Sequence, residues 1–229
     1  MRQQGYASCE RRLVDASGRD LPGHLEATPA RTRGVVVLVH DFFGLTPHVR
    51  GLASRLVAEG FVAFAADLYR GQVAKTRDEA TTLAQAIAPT WKSIAVELGL
   101  GVSALLAQHP GSKAAVVGFG MGGAAALVGA AAIERLSAAV TFYGIPQDVT
   151  IENQRVRIQC HFAEHDPKCT SERVADLQRS LRERDIQHDV HQYEAQSGFF
   201  NTGRGDAYSA PDAELAWTRM LVFLNAALG

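Results

Sequence analysis

The segment that decides the fold is residues 116–123, whose sequence is VVGFGMGG. It ends a short strand, predicted at 113–118, and begins an alanine-rich helix, predicted at 121–133. Its glycines have no Cβ, so they permit a sharp turn in which the strand and the helix approach each other closely. The segment therefore predicts a strand that passes directly into a helix.

Strands and helices alternate on both sides of this turn. The other predicted strands are 34–40, 61–66, 138–143, 157–163 and 188–193, and the other predicted helices are 47–58, 77–87, 91–108, 171–184 and 212–228. At the start, extended segments at 11–15 and 23–28 flank the turn sequence 17–20 and predict a hairpin. We therefore predict an α/β fold with a mostly parallel central sheet of about eight strands, helices on both faces and an N-terminal antiparallel hairpin.

The composition is that of an ordinary globular chain. The 229 residues are 47% hydrophobic and 21% charged, which excludes a disordered or collagen-like chain. Lys and Arg number 23 against 24 Asp and Glu, a net charge of -1. This balance gives no electrostatic footprint for nucleic acid or for a membrane surface. With no internal repeat or linker, we predict one domain over 1–229.

Cysteine usage and the N-terminus indicate the cellular compartment. Cys9, Cys160 and Cys169 are odd in number and widely spaced, unlike a disulfide framework or paired metal-ligand motifs. The first residues contain no apolar region typical of a signal peptide, and no apolar run is long enough to cross a bilayer. We expect a cytoplasmic protein without metal or cofactor. Frequent Ala and Arg indicate a bacterial genome.

The turn at 118–123 has the layout of a nucleophile elbow, G-x-(Ser/Cys)-x-G, which holds a catalytic side chain above the end of a strand. The nucleophile position is Gly120, which has no side chain. A Gly-rich turn between strand and helix can also hold a phosphate, but no Gly-Lys-Ser/Thr sequence follows. The layout favours the elbow and leaves the phosphate loop as an alternative.

Five segments resemble the dienelactone hydrolases, enzymes of the α/β-hydrolase fold with a Cys-Asp-His triad. They are GHLEATP at 23–29, the long block at 35–71 that ends in DLYRG, GFGMGG at 118–123, HFAEHDPKC at 161–169 and YEAQSGFFNTGRGDAY at 193–208. The resemblance extends from about Gly23 to Leu224. It implies the family fold and a small, anionic lactone-like substrate.

The resemblance also implies that the triad is degenerate. Gly120 stands at the position of the nucleophile, Asp166 matches the acid, and Ser197 stands at the position of the histidine. Asp41 matches an acid that is normally Glu in the family. Covalent acyl transfer needs a nucleophile with an adjacent base. This chain therefore resembles a divergent member that has lost both groups.

The features that remain define the candidate site. The resemblance implies an oxyanion hole made by the backbone N–H groups of Phe42 and Met121, and such donors stabilise any developing oxyanion. Asp41 and Asp166 are the candidate catalytic acids, although each could instead only bind backbone amides of its own loop. The candidate substrate-binding residues are Tyr69, Arg204, Phe43 and Trp91.

Three functions remain open. The first is a repurposed enzyme that carries out lyase, isomerase or cyclase-type chemistry on a small carbonyl or lactone compound through the oxyanion hole. The second is a pseudoenzyme that binds a ligand without turnover. The third is a hydrolase that acts on lactones or esters through a water activated by Asp41 or Asp166. The expected partner is a small anionic molecule, with no nucleic acid and no membrane, and the chain is expected as a monomer or homodimer.

Overall fold

The computed structural model of the protein describes residues 7–14, 18–27, 32–87, 91–147 and 150–229. The strands are β1 Ala7–Val14, β2 Asp20–Ala27, β3 Val35–Val39, β4 Val62–Ala66, β5 Ala114–Phe119, β6 Leu136–Phe142, β7 Arg157–His165 and β8 His188–Gln196. The helices are α1 Pro47–Ala58, α2 Arg77–Ile87, α3 Trp91–Gln108, α4 Met121–Ala132, α5 Ser171–Glu183 and α6 Ala210–Leu228.

The strands form one eight-stranded sheet in the order β1-β2-β4-β3-β5-β6-β7-β8. β1 pairs with β2, and β2 with β4, in antiparallel fashion, whereas all the other neighbouring pairs are parallel. The predicted α/β fold with an N-terminal hairpin is therefore confirmed. Asp15, Ser17 and Thr28, at the ends of the predicted hairpin segments, lie outside the described residues.

The central strands are buried on both faces, and alternate side chains enter two different cores. Val35, Val37 and Val39 of β3 join the cluster that includes α3 and α4. Val36 and Leu38 of the same strand join the cluster that includes α1 and α6. A strand that is covered on both faces needs apolar residues at every position, which explains the continuous run GVVVLV.

Several boundaries differ from the sequence prediction. β7 continues to His165 and β8 to Gln196, beyond the predicted ends at 163 and 193. A 3-10 segment, Thr202–Ala207, which is kinked at Arg204 and Gly205, precedes α6 and was not predicted. The strand extensions are stabilised by pairing between the two strands, since His165 pairs with Gln196. Because of these extensions, the loops that carry Asp166 and Ser197 begin directly after His165 and Gln196.

Within the described ranges, no single helix is long and apolar enough to cross a membrane, although α2 and α3, which meet at a bend of 81°, pass the same test together.

Candidate active site

The turn between β5 and α4 has the backbone of a nucleophile elbow. Gly120, the residue between strand and helix, has φ 55° and ψ -113°, a conformation that side-chain-bearing residues rarely adopt. Two of its neighbours must be glycine for reasons of space. A Cβ on Gly118 would lie 1.8 Å from the carbonyl oxygen of Gly122, and one on Gly122 would lie 2.4 Å from the carbonyl oxygen of Val39. The sequence therefore folds here into a tight crossing of strand and helix.

Gly120 itself is not crowded. The atoms nearest to a Cβ built on it are Cβ of Asp41 and Cε2 of Tyr143, both at 3.9 Å, which is an ordinary van der Waals separation. The position therefore has space for a side chain, and only the positive φ disfavours one. The elbow retains the geometry that presents a nucleophile, and a Cβ at position 120 would make only ordinary van der Waals contacts.

Asp41 lies two residues after the end of β3, beside the side-chain position of Gly120, and is only 8% exposed. Its Oδ1 accepts a hydrogen bond from the backbone N–H of Phe43 at 2.9 Å, and its Oδ2 accepts one from Nδ2 of Asn201 at 2.8 Å. Oδ1 of Asn201 in turn accepts the N–H of Gly203 at 2.8 Å. The carboxylate is therefore held in one orientation by two loops that are 160 residues apart in the chain.

Asp166 follows β7 and is 6% exposed. Its Oδ1 accepts the N–H groups of Lys168 at 2.8 Å and Cys169 at 3.1 Å, so the side chain does cap its own turn. Its Oδ2 is also buried but has no hydrogen-bond partner in the part of the chain that the structure describes. Oδ1 of Asp166 therefore stabilises its own turn, whereas Oδ2 still has the capacity to accept a hydrogen bond.

Ser197 is adjacent to Asp166 in the sheet. His165 pairs with Gln196 across β7 and β8, so Asp166 and Ser197 each follow one member of that pair. Ser197 is half-buried. The register therefore places Ser197, predicted to occupy the position of the family's histidine, at the same end of the sheet as Asp166. A serine hydroxyl at this position cannot act as an imidazole-like base near neutral pH.

The residues of the implied oxyanion hole are brought together by Tyr69. Its hydroxyl donates to the carbonyl oxygen of Phe42 at 3.1 Å and lies 3.8 Å from Sδ of Met121. Burial, followed by the negative charge of Asp41, raises the pKa of Tyr69 to about 12, so this phenol stays protonated. Tyr69 thus links the loop after β3 to the first turn of α4.

Arg204 lies in the 3-10 turn before α6 and is half-buried. Its guanidinium carbon is 5.6 Å from the ring centroid of Phe43, a cation–π distance. Its Nε is 3.2 Å from the position that a Cβ on Gly198 would take, so it also touches the turn after Ser197. A fixed cation therefore lies between the loops that carry Asp41 and Ser197.

Trp91, the fourth predicted binding residue, lies on α3 and not in the loops that carry Asp41, Gly120 and Ser197. It is the first residue of α3 and packs against the core between the sheet, α3 and α4. Its apolar surroundings give no support to the predicted binding role. The binding role of Trp91 stays a prediction, because the same sequence position is compatible with lining a pocket and with completing a core.

Sequence reasoning missed two residues of the site. Asn201 holds Asp41, and its only sequence signal is its place in the segment that follows Ser197. Tyr143 directly follows β6, and Phe119 pairs with Phe142, so Tyr143 and Gly120 both leave the sheet at the same level. A polar residue just beyond the carboxyl end of the strand next to the elbow was the available signal for Tyr143.

His40 has a structural role at the end of β3. Its Nε2 accepts the N–H of Leu68 at 3.2 Å, so its Nδ1 carries the proton and donates to the carbonyl oxygen of Asp41 at 2.7 Å. Burial lowers the pKa of His40, which keeps the ring neutral. Among the described residues, no three His, Cys, Asp or Glu side chains are arranged to hold a metal ion.

Two surface grooves, of about 710 and 550 Å³, are lined in part by residues of α3. They share Arg19, Lys92, Val96 and Leu100, and neither is lined by the elbow or by the ends of β3 and β7. In open α/β sheets, ligands bind beyond the carboxyl ends of the parallel strands. We therefore assign the candidate active site to the elbow and not to these two grooves.

The sheet order, the elbow and the adjoining acids define a protein of the α/β-hydrolase class. Residues 23–228 match the family model of the dienelactone hydrolase family, and the chain belongs to this family. The family membership and the positive φ of Gly120 favour the elbow over a phosphate loop.

Relatives of known sequence match the chain over almost its whole length. "Protein usf" of Aquifex pyrophilus is 27% identical over 221 residues, which cover 92% of this chain and 95% of that protein. A protein of Aquifex aeolicus named "Putative carboxymethylenebutenolidase" is 27% identical over 225 residues, with the same coverage.

Solved structures show the same fold. A dienelactone hydrolase-like promiscuous phosphotriesterase from metagenomic libraries superimposes with a TM-score of 0.84 at 24% identity, covering 98% of this chain and 99% of that one. The structure called m3DLH has a TM-score of 0.85 at 22% identity, with the same coverage. At this level of identity, the likeness concerns the fold alone.

Proposed function

We propose that the chain is an enzyme that acts on a small carbonyl or lactone compound without a covalent acyl intermediate, in lyase, isomerase or cyclase-type chemistry. One observation carries this proposal: the backbone of Gly120 has the elbow conformation, but the space above it holds no nucleophile. A site of this shape retains the means to stabilise an oxyanion and has lost the means to form an ester or thioester.

The N–H groups of Phe42 and Met121 are the proposed oxyanion donors. Met121 is the first residue of α4, so its N–H has no acceptor within the helix and lies at the positive end of the helix dipole. Donors that are fixed before the substrate binds need no reorganisation when negative charge develops on a carbonyl oxygen. The same two donors serve an enolate as well as a tetrahedral intermediate.

Asp41 is the proposed acid–base group. Each carboxylate oxygen has two lone pairs, and only one hydrogen bond to each is used by Phe43 and Asn201. The carboxylate therefore keeps the capacity to take a proton from a carbon or oxygen atom above Gly120. Asp166, through its free Oδ2, is the second candidate.

Arg204 is proposed to bind the anionic part of the substrate. The name of the Aquifex aeolicus relative denotes an enzyme that acts on carboxymethylenebutenolide. This compound is a lactone with a carboxylate group that is anionic at neutral pH. A guanidinium pairs with a carboxylate through two parallel hydrogen bonds. Because such a contact stabilises the ground state and the transition state alike, Arg204 should affect KM more than kcat.

Hydrolysis by an activated water is the second candidate function. It is favoured by the carboxymethylenebutenolidase names of several relatives and by the position of Asp41, whose Cβ is 3.9 Å from the empty side-chain position of Gly120. A water in that space would be within reach of a carboxylate base. This candidate uses the same residues, but the carboxylate takes its proton from a water that attacks the carbonyl carbon and not from the substrate.

Carboxymethylenebutenolide, incubated with the protein and followed by proton NMR, tests the proposal. Isomerisation or exchange of carbon-bound protons supports the primary function, whereas ring opening that incorporates heavy oxygen from water supports hydrolysis. Asp41→Asn or Asp166→Asn should lower turnover by roughly 10²–10⁴-fold. Asp212→Asn, which changes an aspartate near the start of α6, is the matched control.

Two results would contradict the proposal. If both Asn variants in the site turn over as fast as wild type, the aspartates have no acid–base role. If wild type binds this lactone in calorimetry and leaves it unchanged, the chain is a ligand-binding protein for that compound.

A further inference from the structure

The hydroxyl of Tyr143 is buried without a hydrogen-bond partner. The residue is 7% exposed, its hydroxyl oxygen has no access to solvent, and no donor or acceptor in the described ranges bonds to it. A buried hydroxyl that leaves water and gains no hydrogen bond destabilises the fold. Most buried polar groups are paired, so the unpaired state of Tyr143 requires an explanation.

The backbone of Tyr143 is also unusual. Its φ is +41°, a left-handed conformation that is unfavourable for a residue with a Cβ. The N–H of Tyr143 donates to the carbonyl oxygen of His161 at 2.8 Å and holds this conformation. The next residue, Gly144, lies against the elbow, since a Cβ on it would come 2.1 Å from the carbonyl oxygen of Gly120. The chain is therefore bent so that Tyr143 lies on the elbow.

The ring of Tyr143 lies beside the side-chain position of Gly120. Its Cε2 and Cδ2 atoms are 3.9 and 4.0 Å from the side-chain position of Gly120. Phe142 and Phe199 pack against it edge-on, at ring-centroid distances of 6.3 and 5.8 Å, and fix its plane. A phenylalanine would supply the same apolar packing, so packing alone does not account for the hydroxyl.

The charges around the hydroxyl determine its role. Burial, then the negative charge of Asp41, raises the pKa of Tyr143, and the positive charge of Arg204 opposes this only in part. The phenol therefore stays protonated and is ready to donate a hydrogen bond. Both oxygens of Asp41 already accept hydrogen bonds from Phe43 and Asn201, and neither bonds to Tyr143. The donor is thus left without an acceptor among the described residues, on a ring whose Cε2 atom lies 3.9 Å from the side-chain position of Gly120.

We propose that Tyr143 donates a hydrogen bond to an anionic oxygen of the ligand held above Gly120, beside the backbone N–H groups of Phe42 and Met121. The inference rests on the proposed function, because it adds a side-chain donor to the same oxyanion site. It assigns to the site a ligand whose charged oxygen lies against the Tyr143 wall. Tyr143 would then be a catalytic residue, since it touches the reacting oxygen.

The experiment uses para-nitrophenolate, which carries an anionic oxygen on a small planar ring, as the probe. Its dissociation constant is measured by calorimetry for wild type and Tyr143→Phe at a pH where the probe is ionised. A hydrogen bond to a charged acceptor predicts that Tyr143→Phe weakens binding roughly ten- to a hundredfold. Tyr193→Phe is the matched control, because Tyr193 is equally buried but its hydroxyl is bonded to Nδ1 of His161 at 2.7 Å. Its affinity should stay within about twofold of wild type.

The outcomes separate the inference from the proposed function. If wild type and Tyr143→Phe bind the probe equally well, the inference is overturned and the proposed oxyanion site stands. If wild type does not bind the probe, both are overturned. Thermal melting gives a second test, because Tyr143→Phe removes only an unpartnered oxygen and should melt no lower than wild type. A lower melting temperature would mean that the hydroxyl is paired within the fold, which also overturns the inference.

Discussion

Introducing a cysteine at residue 120 and a histidine at residue 197 should give the chain thiol-dependent esterase activity. The space above Gly120 accepts a side chain, because the nearest atoms to a Cβ there are 3.9 Å away. The free Oδ2 of Asp166 is available to accept Nδ1–H of an imidazole at position 197. The main cost is backbone strain at φ 55°, about 1–2 kcal/mol for a residue with a Cβ.

The magnitude follows from the protonation state of the thiol. A cysteine with an ordinary pKa of about 8.5 is roughly 3% thiolate at pH 7. A thiol that is paired with an imidazolium is almost completely ionised at that pH, as in other Cys–His sites. The double variant Gly120→Cys/Ser197→His should therefore form an acyl-enzyme roughly 30-fold faster than Gly120→Cys alone.

The assay is the release of para-nitrophenol from para-nitrophenyl acetate at pH 7, with a stopped-flow burst as the measure of acylation. Gly120→Ala/Ser197→His controls for hydrolysis by the imidazole alone. The reasoning is refuted if Gly120→Cys alone reacts as fast as the double variant, because Ser197 would then not occupy the position of the catalytic histidine.

Three further outcomes follow from the same structure. A fluorophosphonate probe should leave wild type unlabelled, and stoichiometric labelling of Ser197 would contradict the loss of the base. Iodoacetamide should alkylate the half-buried Cys9 before Cys169, whose pKa burial raises to about 12; peptide mass spectrometry gives the order. Burial lowers the pKa of His161 well below 6.5, so the unfolded chain takes up a proton that the folded protein does not as the pH falls below 6.5. The free energy of unfolding should therefore fall by about 1.4 kcal/mol per pH unit below 6.5 because of this histidine. Urea unfolding at pH 7.5 and at 5.5 measures this fall, which should be smaller in His161→Gln than in wild type. Equal falls in the two proteins would contradict the lowered pKa of His161.

The sequence was sufficient for most of the fold because the relevant signals are local. Apolar spacing and a proline at the first position predicted α1 at Pro47–Ala58, and the structure has the same bounds. The ends of β7 and β8 were predicted too early because their last residues are polar and are held in strands by pairing with each other. Such pairing joins residues far apart in the chain and leaves no periodic pattern.

The site was predictable only in part, for a related reason. The sequence predicted Asp41, Gly120 and Asp166 in loops after three parallel strands, and the structure has them after β3, β5 and β7. Asn201 bonds to a residue 160 positions away, and the hydroxyl of Tyr143 is notable only because it lacks a partner. Both properties exist in three dimensions and depend on the packed fold.

The hydrogen bond between Asp41 and Asn201 has a consequence for communication within the molecule. Asn201 is three residues before Arg204, and Asp41 is one residue before Phe42, whose N–H is a proposed oxyanion donor. The N–H of Arg204 donates to the carbonyl oxygen of Asn201 at 2.9 Å, so an anion bound by Arg204 would be linked through Asn201 and Asp41 to the peptide that carries this donor. We expect that binding of a ligand's charged end at Arg204 affects the oxyanion donor at Phe42 through the hydrogen bond between Asn201 and Asp41.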